Sequence, residues 1–426
     1  MAPVDTEPRP MPPPDAATRP SGSTFGLLRR NPDFRKLYSA VLISFGGDWF
    51  TSVALLSLVL ETTGSATLAG LVLAAQTLPF AIVSPFAGVI VDRIDRRTVM
   101  IAADVIRAVL ALGLLAARSE ETIWIAFVIL TLLSGVSAFF EPASSAALPN
   151  VVAKEDLARA NVLMGSAWGT MLVVGAALGG LVSSTLGNDA AFIGDSASFV
   201  VSAMLLLRVR VSFHERAPSR DHSITIVDDV RETIRFARRE RHVLALLTVK
   251  AGFGLSAGVI GLIAVFAVKV FDGGDATIGF LMSARGAGAL IGPFIFRRWA
   301  RERDERLFLG LTIAGLIFGA GYMLFAVAPN AGIAAIGAAI AHVGGGSTWT
   351  LSTYGLQRWT PDAIRGRVFS FDYGLVTLTI AASVFIAGLV ADSVDPRIVA
   401  FGIACVAIGW VLGWTVWRRK LLRIKA

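Results

Sequence analysis

Asp48, Asp104, Arg107, Asp195, Lys250, Arg285 and His342 all stand inside apolar stretches of this chain. A charge held at the centre of a membrane helix costs at least about 2.5 kcal/mol, so such residues face a wet cavity or a partner. Asp48 lies about eleven residues into the first stretch. Its carboxylate is a candidate to exchange a proton or hold a cation, with a structural hydrogen bond to a neighbouring helix as the competing role. Asp195, about five residues into the sixth stretch from its outer end, is a second candidate that interfacial water would keep hydrated. Asp104 and Arg107 are three apart, share one helix face and read as an ion pair. Arg285 has no acid within one turn, so its counter-charge must come from another helix, Asp48 being available, or from an anionic ligand. Lys250 reads as a side chain snorkelling to the interface, and His342 as a packing residue. Gln76, Phe139, Trp168, Phe253 and Trp349 are candidates to line a pocket for an amphiphile.

Other chemistry has no residues here. There is no phosphate-cradling Gly-x-x-x-x-Gly-Lys loop, no Gly-x-Ser-x-Gly elbow, and His214, His222, His242 and His342 have no metal-ligand spacing. The expectation is a protein without enzymatic activity, metal or cofactor, driven by a proton or other ion gradient. The lone Cys405 reads as a small packed residue.

The elements that position these residues follow from composition. At 54% hydrophobic and 16% charged residues with mean hydropathy +0.67, the chain lies outside the range of soluble domains. Twelve stretches near the roughly 20 residues a membrane helix needs are predicted at 37–60, 67–91, 98–117, 122–140, 160–185, 190–207, 244–268, 276–296, 307–327, 331–357, 368–391 and 398–417. Of 39 Lys and Arg residues, 33 fall in seven segments, alternating with gaps that hold only Arg118, Lys269 and Arg397. Basic loops resist translocation, so both termini are expected in the cytoplasm. The +8 charge is spread over seven loops rather than gathered on one stripe, so no nucleic-acid partner is expected.

Internal similarity divides the chain. Ser65 to Ala87 recurs approximately from Asp275 to Ile295, displaced by about 209 residues. Asp156 to Arg159 recurs as Asp362 to Arg365, displaced by 206, and Phe45-Gly46 as Phe253-Gly254, displaced by 208. The reading is an all-α membrane protein of two parallel six-helix repeats, built to rock about a central site. The expected divisions are a disordered tail at 1–24, bundles at 25–211 and 244–418, a linker at 212–243 and a basic tail at 419–426. In the linker, Val227, Val230, Ile234 and Ala237 at helical spacing amid arginines predict a helix on the inner membrane surface.

Gly88-Val-Ile-Val-Asp92-Arg93-Ile-Asp-Arg96-Arg97, between the second and third stretches, resembles the loop motif of the major facilitator superfamily. It departs from the pattern at Asp95, where the family's second glycine usually stands. The resemblance implies a cytoplasmic gate. Asp92 would accept hydrogen bonds from the start of the eleventh helix, whose first turn would contain Val368 to Asp372, and Arg93 or Arg97 would pair with Glu141. Gly175-Ala-Ala-Leu-Gly179-Gly180 resembles the antiporter motif of drug exporters, with Ala176 in place of proline, although close helix packing alone would also use those glycines. Phe139 to Pro149, Asp156 to Asn161, Gly47-Asp48-Trp49 and Gly194 to Phe199 resemble the bacterial macrolide-efflux and enterobactin-exporter group.

That resemblance covers residues 25 to 420. It implies the major facilitator fold in a bacterial inner membrane and a drug:proton antiporter exporting amphipathic small molecules by alternating access, with multidrug efflux as the model. The implied partners are the substrate, protons and membrane lipid, the chain acting as a monomer. Export of an anionic metabolite or siderophore, and lysophospholipid movement, are the alternatives, both using Arg285. A passive conduit is a further rival that the repeat disfavours.

Overall fold

The computed structural model describes residues 26–211, 213, 226–300 and 304–423; the expected tail at 1–24 lies outside them. Twelve long helices dominate: α1 Pro32–Thr63, α2 Ala66–Arg93, α3 Arg96–Gly113, α4 Ile123–Val151, α5 Leu157–Leu186, α6 Asn188–Leu207, α7 Arg241–Val270, α8 Asp275–Ala300, α9 Asp304–Val327, α10 Ala331–Trp359, α11 Asp362–Ala391 and α12 Pro396–Arg423. Each is long and apolar enough to cross a membrane. Short connections make successive helices antiparallel, so the basic loops share one face and the charge-poor loops the other.

The helices form two six-helix bundles. In the first, α1 packs on α5 and α6, α2 on α4, and α3 on α4 and α6; in the second, α8 packs on α10, α9 on α10 and α12, and α7 on α10, α11 and α12. The bundles meet along α5 against α8 and α2 against α11. The distribution of core residues shows where they join. Near the charge-poor face one continuous cluster takes Val53, Leu56 and Phe192 from the first bundle together with Phe266, Ile278 and Phe325 from the second. Near the basic face the clusters are separate, one around Phe34, Met100 and Phe140, the other around Leu246, Phe308 and Trp414.

Four local outcomes differ from the sequence expectation. α7 is interrupted after Leu255, where Ser383 Oγ of α11 donates to the freed Leu255 carbonyl at 2.6 Å. A polar partner from another helix makes that break tolerable, and no periodicity reveals it. α11 begins at Asp362, so Asp372 lies well inside the helix rather than in its first turn. The linker helix Ile226–Arg239 buries Thr233 and Ala237, leaves Val230 exposed, and is tied to α11 by Arg367 donating to Glu232 at 2.6 Å. It therefore docks on protein, because α11 offers both an apolar seat and a counter-charge. Finally, α12 continues to Arg423 through much of the expected tail, and Cys405 on it is exposed rather than packed.

Candidate functional site

In the first bundle the intramembrane charges gather around one guanidinium. Arg107, 1% exposed, pairs with Asp104 one turn before it and reaches Asp48 Oδ2 at 4.0 Å. Its guanidinium lies over the rings of Phe140 at 4.6 Å and Phe199 at 4.3 Å, which hold it from two sides. The expected Asp104–Arg107 pair is thus present, and Asp48 joins it. The Asp48 side chain is 41% exposed. A carboxylate midway along a membrane helix does not face hydrocarbon, so this exposure marks polar interior space.

Asp195 lies behind the same stretch of α1. Thr51 Oγ1 donates to its Oδ2 at 2.5 Å, while Oδ1 has no hydrogen-bond partner. A side chain on Gly47 would put Cβ 2.5 Å from that oxygen, so only glycine lets α6 approach here. The residue is 1% exposed, which corrects the expectation that interfacial water keeps it hydrated: α1 covers it. Gln76 does not touch these carboxylates. Its Nε2 donates to Ser52 Oγ at 2.8 Å, and Ser52 donates in turn to the Asp48 carbonyl at 2.7 Å, so Gln76 braces the backbone that carries Asp48.

Asp104 and Asp48 therefore share one guanidinium, and Asp195 lies behind the same stretch of α1. If Asp48, Asp104 and Asp195 were all ionised the group would carry two uncompensated negative charges, which a membrane interior does not sustain. Protons or a cationic group must make up the difference.

The second bundle arranges its charges differently. Lys250, 2% exposed, forms a buried ion pair with Asp372, with Thr353 Oγ1 at 3.3 Å and the Trp349 ring at 4.8 Å. It does not snorkel, because α11 supplies its counter-ion in Asp372. Arg285 donates from Nε to His342 Nε2 at 3.2 Å and does not meet Asp48, because it is turned toward α9 and α10 of its own bundle.

The gate motif is only partly described. The surroundings of Gly88 and the side chains of Asp92 and Arg93 lie outside what is described, although all three residues are helical. Arg96 donates to the carbonyls of Ala146 at 2.9 Å and Phe213 at 3.2 Å, and Arg97 donates to the Leu207 carbonyl rather than pairing with Glu141. Arg97 thereby satisfies a carbonyl that the end of α6 leaves unpaired. Asp95, the departure from the motif, is the N-cap of α3: its Oδ2 accepts from Thr98 N–H at 3.0 Å. A capping side chain explains an aspartate where the family keeps glycine.

At the charge-poor face the structure reveals a contact that sequence reading missed. Asp392, at the end of α11, accepts from Ser65 Oγ at 3.0 Å, Thr67 N–H at 3.1 Å, Ala66 N–H and Thr67 Oγ1. It thus caps the N-terminus of α2 across the bundle interface, where the helix dipole favours negative charge. Beside it Lys269 donates to the Gly64 carbonyl, again from one bundle to the other. The glycine motif of α5 contributes to the same closure. Gly175 and Gly179 pack on α1 at Gly46 and Phe50, whereas Gly180 faces α8 across the interface, where an added Cβ would stand 2.6 Å from the Asp275 carbonyl.

Comparisons with known proteins agree with this architecture. The family model for transmembrane secretion effectors, a major facilitator family, matches residues 22–425. A protein of Bacillus amyloliquefaciens described as a candidate bacilysin exporter is 27% identical, over 86% of this chain and 91% of that protein. Macrolide efflux protein A of Streptococcus pyogenes is 24% identical, over 85% of this chain and 90% of that protein. Among solved structures, a peptide-transporter-family protein bound to 5-aminolevulinic acid superposes with TM-score 0.75 at 12% identity, covering 92% of this chain and 97% of its own. A bacterial homologue of the human lysosomal transporter Spinster, in an inward-facing conformation, gives 0.65 at 15% identity, with 96% of each chain covered. Twelve apolar helices in two bundles and bacterial transporter relatives place the protein in the cytoplasmic membrane as a multi-pass chain. With the model spanning nearly the whole length, the chain belongs to the transmembrane secretion effector family of major facilitator transporters.

Proposed function

We propose that this protein is a proton-coupled exporter of amphipathic small molecules, working by alternating access with Asp48 as the exchangeable carboxylate. The observation that carries this reading is the Asp48–Arg107–Asp104 group with Asp195 behind it, in which Asp48 is substantially exposed while Asp104 and Asp195 are buried. A group short of positive charge at mid-membrane takes up a proton or a cationic group, and a residue open to the interior can exchange one for the other. Export is supported by the efflux proteins among the relatives. The basic face is taken as cytoplasmic by the distribution of Lys and Arg. On that orientation the separate cores face the cytoplasm, the Asp392 contact closes the outside, and the bundles rock about the interior site.

The test is uptake of fluorescent amphiphiles, cationic, zwitterionic and anionic in turn, into everted membrane vesicles energised by a proton gradient. The wild type is expected to accumulate at least one class, and to lose that accumulation when the gradient is collapsed or when Asp48 is replaced by Asn. Full accumulation by Asp48→Asn would remove that residue from the coupling.

A further inference from the structure

Of the three cations inside the apolar stretches, Arg107 is paired with Asp104 and Lys250 with Asp372. Arg285 is the exception. It is partly exposed near the middle of α8, and among the described residues no carboxylate pairs with it. Its hydrogen-bonding neighbours are neutral: Nε donates to His342 Nε2 at 3.2 Å, and Nη1 is 3.8 Å from Met282 Sδ. A guanidinium stays charged in proteins, so the second bundle carries an uncompensated positive charge at mid-membrane.

The hydrogen bonds around it do not close. Tyr322 OH lies 2.8 Å from the same His342 Nε2 that faces Arg285. A neutral imidazole nitrogen offers one lone pair or one N–H, not both. If Nε2 accepts, the tyrosine hydroxyl and the guanidinium compete for one lone pair. If Nε2 donates to the tyrosine, Arg285 loses its acceptor. Either way one donor of the trio is in surplus. His342 and Tyr322 are 4% and 0% exposed, and Phe318 packs edge-on against both rings, so the trio is held rigidly.

We infer that Arg285, Tyr322 and His342 form a seat for an oxyanion, a carboxylate or phosphate group, brought by the transported molecule or by a lipid headgroup. The planar guanidinium would take two oxygens through its free N–H groups, and the surplus donor would complete the shell. Only the placing of this seat on a transport path rests on the export reading. With Asp48 in the facing bundle, it defines a cargo that carries an anionic group as well as an apolar body.

The experiment uses the full chain in phosphatidylcholine nanodiscs, with thermal stabilisation and calorimetric binding of decanoate, decanamide and decylammonium as readouts. Decanoate should bind and stabilise where decanamide does not. Arg285→Gln should abolish the effect, and Tyr322→Phe, which keeps the ring and its packing, should weaken binding roughly tenfold, as expected for a lost bond to a charged group. A parallel arm adds phosphatidylglycerol to the discs. Stabilisation that then blocks decanoate supports the seat and names lipid as its source; unchanged decanoate binding supports it and names the free anion. Equal binding of decanoate and decanamide, or decanoate binding undiminished in both variants, would overturn it. Should Arg285→Gln fail to fold, Tyr322→Phe decides. No decanoate binding by the wild-type chain alongside intact gradient-driven export would remove the seat and leave the export reading, and decanoate binding without gradient-driven export would do the reverse.

Discussion

Arg107 shows how one residue holds the first bundle's interior together. It neutralises Asp104, approaches Asp48 and is gripped by Phe140 and Phe199. Removing one partner of a buried pair leaves the other charge uncompensated, at a cost of about 3 to 5 kcal/mol, whereas replacing both with apolar groups is far milder. Arg107→Leu should therefore lower the unfolding temperature sharply, and adding Asp104→Leu should recover much of the loss. A single variant as stable as the wild type would contradict that account. The i, i+3 spacing made this pair legible in the sequence. Nothing in one chain's spacing could show that Asp48 joins it from α1, that Asp195 is sealed behind Gly47, or that Lys250 finds Asp372, because those partners come from helices far apart in sequence.

At the scale of elements, the contact at the charge-poor face rests on Asp392. Partial burial raises its proton affinity, but hydrogen bonds from Thr67, Ala66 and Ser65 outweigh that and hold the carboxyl below the ordinary aspartate value. A depressed aspartate contributes stability that is fully present above its unfolded pKa and is lost as pH falls through the lower folded value. The contact should thus hold at neutral pH and weaken only in strong acid. Asp392→Asn should speed hydrogen exchange at the Ala66 and Thr67 amides by roughly tenfold, the equivalent of about 1.4 kcal/mol of lost capping. Unchanged exchange would show that Ser65, which caps α2 within its own chain segment, suffices.

Gly180 offers a second probe at this scale. Its replacement by Leu would drive a side chain into the Asp275 and Gly279 backbone of α8, so the bundles could not close at this face. Spin labels on Thr62 and Val394 should move apart in that variant, and an unchanged distance would refute the role. Helix lengths were legible because hydropathy records immersion in lipid. The break in α7 and the docking of the linker helix were not, since each depends on a partner elsewhere: Ser383 and Arg367 respectively.

For the whole molecule, a shared core near one face and separate cores near the other describe a transporter closed on one side. The repeat in the sequence anticipated the two bundles, and the alternation of basic loops anticipated which ends lie together. The direction of closure was not legible, because one sequence encodes every state of the cycle. The two bundles also differ in charge: the first is short of positive charge around Arg107, while the second keeps Arg285 without a carboxylate partner among the described residues.

The central claim is that proton movement and amphiphile movement are one process through Asp48. The most direct test reconstitutes the protein in liposomes with an imposed pH gradient and reads internal pH with a trapped dye while amphiphiles are added. The account predicts proton flux that begins only when a transported amphiphile is present and is lost in Asp48→Asn. Amphiphile movement without proton flux, or the same flux in Asp48→Asn, would contradict it.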